Sequence, residues 1–112
     1  MKKILSTTAP GSIGEHPFET SKLKKSILIL KALDHPLRQQ ILKLIQQKEG
    51  MGVTAIYETL QLEQSVASQH LAPLRKAGFV QSERKGKSVF YTVNNQRINE
   101  VLQICTDLIN GA

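Results

Sequence analysis

The chain has 112 residues, which is enough for one domain with its own hydrophobic core and too few for two. Its single cysteine excludes an internal disulfide, and no stretch approaches the ~20 apolar residues that span a membrane. We therefore predict a cytoplasmic chain with no membrane partner. The formal net charge of +6 favours a polyanionic partner and an ordinary basic surface about equally.

The positive charge is concentrated in one part of the sequence. Residues 64–97 carry six Lys or Arg and one acidic residue, whereas residues 35–63 carry three of each sign. A polyanion would therefore be expected to contact the region from 64 to 97.

Residues 1–19 contain two prolines and two glycines and show no sustained apolar periodicity. This composition predicts a flexible N-terminal arm, followed by one folded domain over residues 20–112. The apolar run near the start ends at Ser6, so we predict no export signal.

The first predicted helix is capped by Thr20 or Ser21 and runs to about Leu33. Its apolar surface is wider than one stripe, which suggests burial against both the core and a partner. The residues at helical spacing on this surface are Leu23, Ile27 and Leu30.

A second helix is predicted after Asp34-His35-Pro36, because proline disfavours helical geometry before it and suits a first helical turn. Asp34 or His35 begins this helix, which runs to about Lys48. Gly50 and Gly52 are predicted to end it and to loosen the connection that follows.

A helix-turn-helix is predicted next. A short third helix, Thr54 to Leu60, is followed by the turn Gln61-Leu62-Glu63 and by a fourth helix, Gln64 to Ala77. Leu62 is expected to fill the gap between the two helices, and Glu63 to cap the fourth. Gly78 follows where a left-handed residue is needed.

The fourth helix has two different faces. The inner face is predicted to carry Ala67, His70, Leu71 and Leu74, with a ring nitrogen of the histidine bonded to a side chain or carbonyl. The outer face carries small, uncharged side chains, most of them polar: Gln64, Ser65, Ser68, Gln69 and Ala72. Such side chains pair with base edges in a major groove, so this face is predicted to read duplex DNA. Pro73 is expected to bend the helix or to loosen its second half.

Two strands, Phe79 to Lys85 and Ser88 to Val93, are predicted to form an antiparallel hairpin around Gly86. The alternation of apolar residues in the second strand allows one face to pack on the core. The hairpin tip is the densest positive cluster in the chain and is predicted to contact DNA as a wing, through Arg84, Lys85 and Lys87. The alternative interpretation is a solvated hairpin tip.

Three further residues complete the predicted DNA contacts. Thr54 can cap the third helix and touch a phosphate there. Arg75 and Lys76 are predicted to contact phosphates from the end of the fourth helix.

A last helix is predicted from about Gln96 to Asn110, capped by Asn94-Asn95. A terminal helix with a continuous apolar stripe needs a partner, so we expect it to pair with the first helix and with a second copy of the chain. Its predicted dimer residues are Val101, Leu102, Cys105, Leu108 and Ile109.

The fold class is therefore mainly α with a small β-hairpin (α+β): a winged helix-turn-helix of four helices, two strands and a fifth helix. No Gly-rich phosphate loop, paired-carboxylate site or catalytic triad is evident, so we predict no enzymatic activity.

From Leu30 to the C-terminus the sequence resembles the ArsR/SmtB family of bacterial winged-helix repressors. Arg38 stands at the family's arginine position in the second helix, and Ser68, His70 and Leu71 match its recognition-helix pattern. The resemblance implies a homodimer, formed by the first and last helices, that represses its own or a neighbouring operon. Its two recognition helices are expected to enter successive major grooves of a near-palindromic operator.

The sequence departs from the metal-sensing members of that family. Its third helix lacks their cysteines, the last helix has no histidine, and His16, His35 and His70 lack ligand spacing. We therefore predict no metal site and no cofactor, and the sequence indicates no effector. Cys105 is interpreted as a core or interface residue, although an intersubunit pair is conceivable.

An alternative hypothesis is a winged-helix protein-protein interaction module that does not bind specific DNA sequences. The apolar first and last helices would then hold a different partner protein. Salt-dependent binding to duplex DNA discriminates between the two hypotheses.

Overall fold

The computed structural model describes residues 19–111 as five helices and one antiparallel sheet. In chain order the elements are α1 (Thr20–Leu33), α2 (Pro36–Lys48), β1 (Met51–Gly52), α3 (Val53–Thr59), α4 (Gln64–Lys76), β2 (Val80–Lys85), β3 (Ser88–Val93) and α5 (Asn95–Ile109). The predicted winged helix-turn-helix class is confirmed. The predicted arm, residues 1–19, lies outside the described residues apart from Glu19.

The sheet has one strand more than the predicted hairpin. Met51 pairs with Tyr91 and Gly52 with Phe90, which adds β1 to the outer side of β3 and gives the strand order β1-β3-β2. A two-residue strand has no alternating pattern in the sequence, so only a loose connection was predicted here.

The core is formed where α2, α3, α4 and the sheet meet. Tyr91 and Val93 pack against it from β3, which confirms that one face of the hairpin packs on the core. The largest fully buried side chains are Phe79, Ile41, Ile45, Ile56, Leu71, Leu74 and Val80. Because α4 supplies two of them, the core holds this helix by its inner face.

Two helices begin differently from the prediction. The residue that precedes α1 in extended conformation is Glu19, not Thr20 or Ser21. Gly52 precedes α3, so Thr54 lies inside that helix and cannot cap it. Capping needs an extended backbone just before the first turn, and the pairing of β1 with β3 places that conformation at Gly52.

The other helix starts agree with the prediction. His35 Nδ1 accepts a hydrogen bond from the Leu37 N–H at 3.1 Å, and Asn94 Oδ1 accepts one from the Arg97 N–H at 3.1 Å. Glu63 is the capping residue of α4, but its side chain makes no capping hydrogen bond.

Gly50 does not end α2 as predicted, because Glu49 takes the left-handed position there, with φ of 56°. Gly50 has another role. Its φ is 120°, and a Cβ built on it would lie 2.6 Å from Cε2 of Phe90. Only glycine therefore allows α2 to turn into β1 underneath this ring.

We expect Gly50→Ala to lower the free energy of unfolding by about 1–2 kcal/mol, because alanine is strained at this φ and meets Phe90. Urea denaturation of the full chain measures this. Gly86→Ala is the matched control, since Gly86 also has positive φ, 66°, but nothing lies within 4 Å of its Cβ position. An equal loss in both variants would contradict the steric role of Phe90.

Candidate nucleic-acid interface

The turn of the helix-turn-helix is built by backbone hydrogen bonds. Gln61 adopts a left-handed conformation, with φ of 56°, and the Leu62 N–H donates to the Tyr57 carbonyl at 2.8 Å. This pattern satisfies the last carbonyls of α3 and turns the chain sharply into α4. Leu62 is half-buried at the predicted junction.

Helix α4 is held by an apolar inner face. Ala67, Leu71 and Leu74 are at most 1% exposed, whereas the outer face is exposed throughout. The exposed side chains of the outer face are Gln64, Ser65, Ser68 and Gln69. The predicted division of this helix is confirmed, and the reading of bases by its outer face stays a prediction.

His70 connects α4 to the start of α2, as predicted for an inward histidine bonded to a side chain. Arg38 Nε donates to His70 Nδ1 at 3.3 Å, and the His35 ring lies 4.5 Å from the His70 ring, centroid to centroid. Burial, together with the charges of His35 and Arg38, lowers the pKa of His70. A lowered pKa favours the neutral ring, which can accept the Arg38 hydrogen bond.

The N-terminus of α4 is open to a phosphate. The Val66 and Ala67 N–H groups both donate to the Glu63 carbonyl, and Glu63 makes no side-chain capping bond. The first N–H groups of the helix therefore have no partner within it, and they carry the positive end of the helix dipole. Helix termini of this kind bind phosphate oxygens.

Helix α4 continues through Pro73 to Lys76 without interruption. Proline supplies no N–H to the Gln69 carbonyl, so the helix loses one hydrogen bond at this point. The loss lies behind the N-terminal half, where the polar outer face is concentrated. The bend predicted at Pro73 stays a prediction.

The wing is a tight hairpin. Lys85 pairs with Ser88, so Gly86 and Lys87 form a two-residue loop, and the positive φ of Gly86 suits the first position of such a loop. Lys85 Nζ lies 4.3 Å from the centroid of the Phe90 ring, which keeps this ammonium against the sheet. Arg84 and Lys87 are exposed beside it.

The remaining predicted contacts are also exposed. Thr54 lies in the first turn of α3, and Arg75 and Lys76 lie in the last turn of α4. The two cations also complement the negative end of the α4 dipole. This interaction alone explains their position, whether or not they contact DNA. The structure thus leaves all ten predicted DNA-contact side chains at the surface, and their contacts stay a prediction.

Arg97 was not singled out from the sequence. Its Nε donates to the Ala77 carbonyl at 3.2 Å, and its guanidinium carbon lies 6.0 Å from the Phe79 ring centroid. The side chain therefore joins α5 to the end of α4. A lone arginine in the first turn of a helix carries no sequence signal of this role.

Helices α1 and α5 present an uncovered apolar surface. Six of the predicted dimer residues are exposed on it: Leu23, Ile27, Leu30, Leu102, Leu108 and Ile109. Leu28 and Ile104 are also exposed, at 66% and 57%, and were not predicted as interface residues. Neither falls on the apolar stripes used for the prediction.

Val101 and Cys105 differ from the other predicted dimer residues. Val101 is only 6% exposed and belongs to the core of its own chain, so it has almost no surface to offer a partner. Cys105 is half-buried and packs against the same core. Leu108 lies two turns beyond Val101 on the same side of α5, yet it is 67% exposed. The helix therefore extends past the core of its own chain.

Metal-binding clusters and membrane spans are both absent from residues 19–111. No three His, Cys, Asp or Glu side chains in this range are grouped so that they could hold a metal ion. None of the helices in the same range is long and apolar enough to cross a membrane.

Comparison with known proteins shows which family the chain is similar to. The family described as Helix-turn-helix domain matches residues 33–83. The chain is 29% identical to the transcriptional repressor PagR of Bacillus anthracis, over 80% of this chain and 90% of PagR. It is 34% identical to the transcriptional activator HlyU of Vibrio cholerae, over 71% of this chain and 73% of HlyU.

A solved structure supports the same assignment. It is the homodimeric winged helix-turn-helix DNA-binding domain of a possible ArsR-family regulator from Mycobacterium bovis, solved by NMR. The two chains share 27% identity, with a TM-score of 0.67, over 84% of this chain and 89% of that one. The chain described here therefore belongs to the ArsR-like winged helix-turn-helix transcriptional regulators.

Proposed function

We propose that this regulator acts in the cytoplasm as a homodimeric repressor that binds a near-palindromic operator. The observation that carries the proposal is the outer face of α4. It is exposed, polar and uncharged, and a cationic hairpin accompanies it. A surface helix that only faced water would usually carry Lys and Glu at these positions.

The dimer is supported by the apolar surface of α1 and α5. Leu102, Leu108 and Ile109 are each more than half exposed, although Val101 of the same helix is buried in the core. An uncovered apolar surface of this kind is typical of a protein interface. The M. bovis relative is homodimeric, which favours a second copy of this chain as the partner.

DNA reading is divided between two kinds of contact in this proposal. Gln64, Ser65, Ser68 and Gln69 read base edges in the major groove. Arg84, Lys85 and Lys87 bind phosphates from the wing, and Thr54, Arg75 and Lys76 bind them from the helices. In a two-fold dimer the two α4 helices lie about 34 Å apart and enter successive major grooves of a near-palindromic site.

Repression requires only that the dimer occupy its operator, and the relative PagR is a repressor. HlyU, an activator, has a similar sequence, so the location of the operator relative to the promoter decides the outcome. The proposal includes no catalytic step and no metal.

The proposal is tested by measuring duplex DNA affinity as a function of salt concentration, for the full chain and for Lys87→Ala. We expect the plot of log affinity against log salt to become shallower by about 0.9 for each phosphate that the variant no longer neutralises, and so by about twice that in a dimer. Lys43→Ala is the matched control, since Lys43 is an exposed cation on α2 that is not among the predicted DNA contacts.

An unchanged slope in Lys87→Ala would remove Lys87 from the DNA contacts. If the unmodified chain bound no duplex at low salt, DNA binding itself would be contradicted. The result would then favour the protein-protein interaction module.

A further inference from the structure

A cleft of about 420 Å³ lies between α1, the start of α2 and the second half of α4. The apolar part of its lining, called the floor, is formed by Leu28, Ile29, Ala32, Pro73 and Ala77, with Leu28 at its exposed edge. This volume falls within the range of small-molecule sites in proteins, which are lined mainly by apolar side chains. The outer face of α4 and the wing do not contribute to it.

The rim of the cleft is cationic. Lys25, Lys31, Arg38 and Lys76 line it, and no acidic residue from the described part of the chain does. Within residues 19–111 the only ion pair joins Lys22 and Glu19, so no described carboxylate neutralises these four side chains. An apolar floor below several cations is complementary to a molecule with an apolar body and an anionic head.

The cleft is separate from the proposed dimer surface. On α1 it uses Lys25, Leu28, Ile29 and Ala32, at the spacing i, i+3, i+4 and i+7, with Lys31 at the edge of this face. The apolar dimer side, which includes Leu23, lies about half a helical turn away at 3.6 residues per turn. A dimer formed through that side therefore leaves the cleft uncovered.

Two residues that line the cleft also affect how α4 is held. Arg38, on its rim, holds His70 through the hydrogen bond of 3.3 Å. Pro73, on its floor, lies where α4 lacks a backbone hydrogen bond. An anion that attracted the Arg38 guanidinium would compete with His70 for this side chain. It would thereby weaken the contact that holds α4 against α2. It would also neutralise Lys76, a proposed DNA contact.

We propose that this cleft binds an amphipathic anion, with an apolar body on Leu28 and Ala77 and a carboxylate or phosphate head between the cationic side chains, and that binding lowers affinity for DNA. The effect on DNA rests on the proposed function, whereas binding of the anion does not.

Calorimetric titration of the full chain tests the site, with decanoate below its micelle concentration as the probe. We expect decanoate to bind saturably. The neutral analogue decanol is expected to bind more weakly by roughly tenfold or more, because it lacks the charge that the rim attracts. A parallel titration with decyl phosphate shows which of the two head groups is preferred.

Two variants localise the binding. Leu28→Asp places a negative charge on the apolar floor, and Lys25→Glu reverses one positive charge of the rim. Each is therefore expected to weaken decanoate binding by roughly tenfold. Lys24→Glu makes the same charge change on the same helix outside the cleft, and it should leave binding unchanged within about twofold. Lys25 and Leu28 are both exposed, so the variants are expected to fold. Circular dichroism checks this.

The DNA measurement then tests the regulatory part. Decanoate at a concentration that just saturates the unmodified chain is expected to lower its duplex affinity about tenfold and to have a clearly smaller effect in Leu28→Asp. Absence of decanoate binding, or equal binding in all three variants, would overturn the site. Binding without any change in duplex affinity would overturn the effector role. A chain that bound decanoate but no duplex would contradict the proposed function and leave the site supported.

Discussion

Replacing Leu102 with glutamate is expected to convert the dimer into monomers and to weaken binding to the operator by roughly a hundredfold or more. Leu102 is 52% exposed on α5, so the change does not disturb the core of its own chain. In a two-fold interface the residue is buried twice, and each leucine contributes about 1.5–3 kcal/mol when it is removed from water.

The weaker DNA binding follows from the loss of the dimer. Two linked recognition helices bind with the advantage of a high effective concentration, which a monomer does not have. Sedimentation velocity measures the mass, and fluorescence anisotropy with an operator duplex measures the affinity. Asn99→Glu adds the same charge at a polar, exposed position of α5 and serves as the control. A Leu102→Glu variant that remained dimeric would place the interface on another surface.

Replacing Gln69 with alanine is expected to cost on the order of 1–3 kcal/mol at each half-site of the preferred operator, because glutamine pairs with adenine through two hydrogen bonds. On unrelated duplex the cost is expected to be small, since binding there depends on phosphates. Gln69 is exposed on the outer face of α4, one residue before the inward-facing side chain of His70. The amide can therefore be removed without loss of packing.

The operator for this measurement is obtained by footprinting the protein on DNA upstream of its own gene. Affinities for the footprinted site and for a scrambled duplex are then compared at one salt concentration. Gln47→Ala removes the same amide from an exposed position on α2 and is the control. Equal weakening on both duplexes would contradict base reading by Gln69 and indicate a contact with the backbone.

Helical periodicity in the sequence correctly divided α4 into its two faces. Ala67, Leu71 and Leu74 recur at the spacing of one helix face, and that face is buried. Gly78 and Gly86 have the positive φ expected from their places after a helix and in a hairpin loop. These features depend on residues close together in the chain, so the sequence alone was sufficient to predict them.

Other features depended on contacts between distant segments. Met51 and Gly52 form a strand only because β3 offers a free edge about forty residues later, and the same pairing requires a glycine at position 50 beneath Phe90. This contact also places the capping residue of α3 at Gly52 instead of Thr54, so the helix begins at Val53. No local pattern in the sequence distinguishes these residues from a flexible loop.

The sequence by itself determined the class of the protein, the faces of its recognition helix and the position of its cationic wing, because these follow from local spacing and charge. Which part of the last helix is buried and which part is exposed could be seen only in the tertiary structure. Val101 and Leu108 share one side of α5, but only Val101 lies above the core. The cleft also required the tertiary structure, because its apolar floor is assembled from residues that lie more than forty positions apart in the chain, such as Ala32 and Pro73. Burial depends on where a helix lies in the fold, and spacing along the chain does not specify that position.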